Sequence, residues 1–258
     1  MLKPIALLML ALMSVTARPL AAAERLIPMT ELIFEESEPG VEPYRSRMLL
    51  SEDWLRLDDG SDGGDYILFD RKAREIHSFN RGDRTELVIP PRDIAPVDFT
   101  VEHRRSAQTL EDAPKIAGGT PVEHRFTADG KLCRRSINVS GFLPEFTAVM
   151  KDYEQLLAEQ GKQTLPRIPA DVRESCYMSN NFLYPVDYLE PGFPLFVIND
   201  QQRSRKLVGY REVELPEALM QPVKGYRRYA PPPANPDDVQ PGQAMPGPLT
   251  ISSEGPSE

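Results

Sequence analysis

The chain is poor in the residues that most often carry chemistry. It holds two cysteines, Cys133 and Cys176, three histidines, His77, His103 and His124, and one tryptophan among 258 residues. A zinc site needs three or four ligands, and no histidine here is spaced with a second His, Cys or acidic pair to supply them. No Gly-x-Ser-x-Gly elbow lifts a Ser-His-Asp arrangement above background. The one glycine-rich stretch, near residue 60, is not followed by a P-loop lysine. The expectation is no catalytic residue, no metal ligand and no cofactor. Positive charge is also in short supply, with 30 Lys and Arg against 39 Asp and Glu, a formal net charge of −9. Such a surface repels phosphate backbones, so no nucleic-acid partner is expected. After the first residues no second long apolar run occurs.

What is present begins with an export signature. Lys3 supplies a positive start, Ile5 to Met13 an apolar run, and Ala21-Ala22-Ala23 the small residues of a cleavage site before Glu24. The run is shorter than the roughly 20 residues that span a bilayer. Residues 1–23 are therefore expected to be a signal peptide and the remainder periplasmic. Removing Lys3 and Arg18 takes the formal charge from −9 to −11. In an oxidising compartment the two cysteines are expected to form one disulfide.

From residue 24 the pattern is that of short strands. Leu26 to Phe34, Tyr44 to Leu50, Trp54 to Leu57, Tyr66 to Phe69, Glu75 to Phe79 and Thr85 to Ile89 follow one another with turn residues between them, which predicts an antiparallel meander. The acidic stretch Asp58 to Asp65 is a turn. It matches a calcium loop at Asp58, Asp62 and Gly63, but Gly60 and Phe69 break that pattern. Further strands are expected at Phe99–His103, Val122–Phe126 and Leu132–Ile137, with a mobile loop around Ala117–Thr120 and a hairpin at Ala128–Lys131. His103 and His124 are placed to face each other across neighbouring strands as a surface pair.

The period then changes. Phe142, Phe146, Val149, Met150, Tyr153, Leu156 and Leu157 follow helical spacing, with Lys151, Asp152, Glu154 and Glu159 on other faces. Ser140 or Gly141 is expected to cap this helix, Pro144 to occupy its first turn and Gly161 to stop it. A shorter helix is expected from about Ala170 to Met178. A late hairpin follows around Asn199–Gln202. Residues 230–258 hold eight prolines and no Lys or Arg, so they are expected to be a disordered tail.

The segments Met48-Leu49-Leu50, Trp54 to Asp58, Tyr66 to Asp70 and Glu75 to Phe79 resemble the early hairpins of the periplasmic lipoprotein-carrier superfamily. Gly192 to Leu195, Leu207 to Arg211 and Pro222 to Tyr226 are similar to its ending. The resemblance covers residues 26–229 and implies one domain over residues 24–229. It implies an α+β, mainly β fold: a curved antiparallel sheet, or half-barrel, wrapped around one long amphipathic helix with a second short helix. It also implies a cavity for acyl chains and transient membrane contact. The chain departs from the superfamily in its cysteine pair and its tail, and it offers no match for a lid arginine. Trp54, Phe69, Phe142, Phe146 and Met150 are the candidates for a cavity lining, with ordinary core as the alternative for the same residues. Two functions follow as expectations. One is a non-enzymatic carrier for a lipid, acyl chain or hydrophobic segment. The other is an envelope interaction module with a filled core.

Overall fold

The structure, a computed structural model, describes residues 24–92, 94 and 96–231. The expected signal peptide, and the tail from residue 232 onward, lie outside the described residues.

Twelve strands form one open sheet in the order β12-β6-β5-β4-β3-β2-β1-β11-β10-β9-β8-β7. The meander β1 (Leu26–Ser37), β2 (Tyr44–Leu50), β3 (Trp54–Asp58), β4 (Tyr66–Asp70), β5 (Glu75–Asn80) and β6 (Thr85–Ile89) is antiparallel throughout. Its turns follow from their residues. The Asp70 carboxylate accepts hydrogen bonds from the backbone of Lys72 and Ala73, and the Asn80 side chain accepts one from Asp83. Side chains of this kind offer the backbone a turn in place of a ladder. β7 (His103–Thr109), β8 (Val122–Ala128) and β9 (Lys131–Val139) form a second antiparallel run, which β10 (Phe193–Asn199) and β11 (Ser204–Pro216) join to β1. β11 pairs with β1 along its whole length, with a bulge between Ile33 and Phe34.

One face of the sheet carries α1 (Pro144–Thr164). Phe146, Val149, Met150, Tyr153 and Leu156 are buried on it and pack with Leu32 and Phe34 of β1, Met48 of β2, Phe69 of β4, Ile89 of β6, Phe126 of β8 and Phe193 of β10. Each such side chain stabilises by roughly 1.5–3 kcal/mol before entropy is charged. Pro144 stands at the start as expected, where its missing N–H costs nothing. The expected cap is absent: Leu143 precedes the helix in a left-handed conformation and no side chain bonds the first turn. Gly161 is not the stop either. The helix runs through it to Thr164, and a Cβ there would come within 2.9 Å of the Phe182 ring. Glycine at 161 answers to close packing.

The opposite face is covered near β2 to β5 by the chain after β11. Met220, in the helical turn Glu217–Met220, packs on Met29 and Leu49, and Val223 and Tyr226 pack on Tyr66, Leu68 and Phe79. The segment ends as β12 (Arg227–Tyr229), parallel to β6. No strand is expected in this stretch from its residues alone.

Two other expectations change. Phe99–His103 is not a strand; β7 begins at His103, where the preceding Glu102 N–H is bound by the Asp129 carboxylate at 2.8 Å. The second helix is broken up. Ala170–Val172 is a single tight turn, and α2 (Ser175–Met178) runs into the wide turn Ser179–Leu183. Cys176 on α2 is joined to Cys133 on β9 by a disulfide. The Ala117–Thr120 loop contains a tight turn closed by reciprocal 2.9 Å hydrogen bonds between Ile116 and Gly119. The expected hairpin at Asp129-Gly130 has positive φ at both residues, as its tight turn requires.

Candidate functional site

Four of the five candidate cavity residues meet between helix and sheet. Phe69, Phe146 and Met150 are buried in the main core, and Phe142 lies at its margin, edge-on to Phe193 and Tyr210. Trp54 is not with them. Side chains alternate along a strand, and with Leu55 and Leu57 under the helix, Trp54 points to the other face. There it packs with Met29 and Leu49 and stands edge-on to His77 at 5.9 Å.

The space beneath α1 is occupied by side chains of the helix and the sheet packed on one another. One cavity there, of about 20 Å3, is bounded by Phe34, Met48, Phe146, Met150 and Phe193 among others, with Arg205 at its side. That is room for about one water molecule.

At the same end of the interior stands a polar cluster that the helical pattern did not predict. The Glu154 carboxylate accepts a hydrogen bond from the Tyr188 hydroxyl. The Arg205 Nε donates to Glu36 at 2.7 Å, and the Ser46 hydroxyl donates to the same carboxylate at 2.7 Å. The Arg134 guanidinium lies 4.5 Å from the Tyr188 ring centre and 3.2 Å from Asp187. The other Asp187 oxygen is 3.0 Å from His103 Nε2, and the His103 ring stacks on Tyr184 at 3.9 Å. Burial pushes the Glu154 carboxyl above the ordinary carboxylate range, against the pull of Tyr188 and of the Arg134 and Arg205 charges. Burial likewise raises Asp187, with Arg134 and His103 opposing it. The helical pattern puts Glu154 on a face other than the apolar stripe. Its spacing was the available signal, since it stands four residues after Met150 and three before Leu157 and so falls on the same stripe. The chemistry available to the cluster is limited, because each of these acids already has a donor or cation beside it.

The remaining sequence candidates are structural. His103 and His124 are not cross-strand partners; β7 sets His103 opposite Ala128 and Ala107 opposite His124, and Phe126 lies between the two rings. The acidic turn is built around buried Asp58. It meets Arg47 at 2.8 Å and Arg56 at 2.5 Å, while Asp62 meets Arg47 at 2.8 Å. Asn138 is buried, with its amide donating to the Tyr188 and Gly192 carbonyls at 2.8 Å.

Among the described residues no helix is long and apolar enough to cross a membrane. No protein-family model matches the chain, and no curated protein matches it. Among solved structures, an uncharacterized conserved protein from Thermus thermophilus aligns at 10% identity over 79% of this chain and 90% of its own, with a TM-score of 0.38. PNGF-II, in two crystal forms, aligns over 80% of this chain at 7% and 9% identity, with TM-scores of 0.36 and 0.38. The chain spans about a third of the length of PNGF-II, 31% and 32% in the two forms. Likenesses this loose carry no argument about what the chain does.

Proposed function

We propose that the protein is an exported, non-enzymatic interaction module whose helix-on-sheet interior is its own core and whose contacts are made at its surface. The observation that carries this reading is the filled space under α1. An acyl chain needs a lined volume of some hundreds of Å3, and the cavity beneath α1 holds about 20 Å3. The half-barrel belongs to the same reading. One core cluster draws residues from β6 near one end of the sheet and from β8 near the other, all against a single helix, which is what a sheet bent around that helix produces. Export is supported by the Cys133–Cys176 disulfide, since such bonds persist in oxidising compartments.

The carrier reading retains one favourable feature, the small apolar cavity with Arg205 at its side. It requires α1 to lift from the sheet. Organic extraction of protein purified from its native envelope, followed by mass spectrometry, separates the two. The expected result is no amphiphile at stoichiometric level. A lipid recovered at about one per chain overturns the filled-core reading and restores the carrier.

A further inference from the structure

The polar cluster beside α1 holds more carboxylates than cations. Arg205 of β11 meets Glu36 of β1 at 2.7 Å, and Arg134 of β9 meets Asp187 at 3.2 Å. The third carboxylate, Glu154 of α1, has no ion pair among the described residues; its partner is the Tyr188 hydroxyl. Tyr153, beside it on α1, is kept neutral by burial. Arg105 of β7 acts on Asp187 from an exposed position, where water screens it. His103 of β7 is the other group that could take up a charge. Its Nε2 faces Asp187 at 3.0 Å, but its Nδ1 is buried without a hydrogen-bond partner, so a second proton on the ring would find no acceptor. A proton on Glu154 balances the cluster instead, because the Tyr188 hydroxyl can donate to a neutral carboxyl as it does to a charged one. Burial favours that proton, raising the carboxyl above its ordinary value of 4.5.

Glu154 also stands at a joint. Tyr188 belongs to the helical turn Asp187–Leu189, and Lys151, on the same side of α1 as Glu154, meets Glu190 just beyond that turn at 2.9 Å. Two side chains of α1 therefore hold the turn. The sheet holds it from the other side, where the Asn138 amide donates to the Tyr188 carbonyl at 2.8 Å and Arg134 meets Asp187. Tyr188 and Leu189 form part of the wall of the small cavity beneath α1, with Arg205 beside them. An ionised Glu154 sets three carboxylates against two guanidinium groups across this joint, and like charge in a poorly solvated site drives α1 and the turn apart.

We propose that Glu154 and Tyr188 form a proton-operated clasp: protonated, Glu154 holds the Asp187–Leu189 turn against α1 and keeps the cavity between them closed, and ionised, it lets the two part. The clasp is complete below the ordinary carboxyl value and is lost as the pH rises through the raised folded value. It concerns the wall of the interior and is independent of what the surface contacts, so the lipid extraction above does not bear on it.

Amide hydrogen exchange of the full chain, followed as the pH is raised from weakly acidic to weakly alkaline and corrected for intrinsic rates, tests this. The reporters are the Leu189 N–H, bonded to the Val186 carbonyl at 3.0 Å, and the Glu190 N–H, bonded to the Asp187 carbonyl at 3.2 Å. The ladder between β1 and β11 is the internal reference. The opening constant of the two reporters is expected to rise by about tenfold or more over the range, since each unit by which closure raises the carboxyl is a factor of ten, while the reference stays level. Glu154→Gln, neutral at every pH, is expected to keep the reporters at their acid-side protection throughout. Tyr188→Phe is expected to open the turn further at every pH, and His103→Gln to leave the rise in place. No rise in the wild type, a rise that persists in Glu154→Gln, a rise removed by His103→Gln, or a Tyr188→Phe variant indistinguishable from wild type overturns the proposal. So does an equal rise in the β1–β11 ladder, which would make the opening global.

Discussion

Replacing Asp58 with asparagine tests how the exposed-looking turn after β3 is held. Asp58 is completely buried, and its two oxygens face both arginines: Oδ1 meets Arg47 Nε at 2.8 Å, while Oδ2 meets Arg47 Nη2 at 2.8 Å and Arg56 Nε at 2.5 Å. Arg56 is buried as well. Its Nη1 donates to the Leu219 carbonyl at 2.8 Å, and its guanidinium lies 4.1 Å from the Tyr66 ring centre. The Asp58→Asn change keeps the shape of the side chain but removes the buried negative charge bonded to two guanidinium groups that cannot deprotonate. Removing one partner of a buried ion pair costs about 3–5 kcal/mol. At about 2–4 °C per kcal/mol for a domain of this size, the melting temperature should fall by roughly 6–20 °C. Differential scanning calorimetry at pH 7 reads this directly. Asp62→Asn is the control. Asp62 also meets Arg47, but its side chain is 65% exposed, and a pair of that kind contributes about 1 kcal/mol or less. If both variants melt within about 3 °C of the wild type, the buried triad is not what holds this part of the sheet. The pH dependence gives a second reading. Burial alone would raise the Asp58 carboxyl, but its hydrogen bonds with Arg47 and Arg56 hold it below the ordinary value of 3.8. Its contribution is therefore complete above about pH 4 and is lost as the pH falls through the depressed folded value. The gap between wild type and Asp58→Asn should close over that acid range.

Glu154 should behave with the opposite sign. Its carboxyl is raised in the folded state, so the folded protein holds that proton more tightly and the group costs stability as the pH rises through the folded value. Glu154→Gln is expected to be more stable than wild type to urea at pH 8, with the difference vanishing below about pH 4; a variant less stable at every pH refutes the assignment. Removing the disulfide by Cys133→Ser with Cys176→Ser opens a link between residues 43 apart and should cost about 4 kcal/mol in the chain-entropy account, measured by urea denaturation against the oxidised wild type. Gly161→Leu forces a large side chain against the Phe182 ring and should cost about 1–3 kcal/mol by overpacking. A gain in stability there would return Gly161 to the role of an ordinary helix position.

The meander from Tyr44 to Ile89 was legible in the sequence because each strand is short, bounded by its own turn residues and set by local chemistry. So was the α1 stripe, because five of its apolar residues recur on one side of a 3.6-residue period. The cysteine pair was legible by count alone. Trp54 and Phe69 were not separable in the sequence: both are large apolar residues on neighbouring strands, and only the register of β3 against β4 sends Trp54 to one face and Phe69 to the other. The helix stop failed at Gly161 because glycine serves equally as a terminator and as a site of close approach, and Phe182, twenty-one residues on, decides between them. Glu154 falls outside the apolar stripe in the sequence because a charged residue is not counted with it, and only the fold brings the Tyr188 hydroxyl to its carboxylate.

The composition and local patterning of the chain determined that it would be a mainly antiparallel sheet with one amphipathic helix and a single disulfide, since these depend on neighbouring residues. Only the tertiary structure decided that the helix would press onto a filled interior, that the segment after β11 would cross the back of the sheet to end beside β6, and that β7 would be left as the open edge. Each of those depends on pairings between residues far apart in the chain, and no local pattern encodes which strand is left without a neighbour.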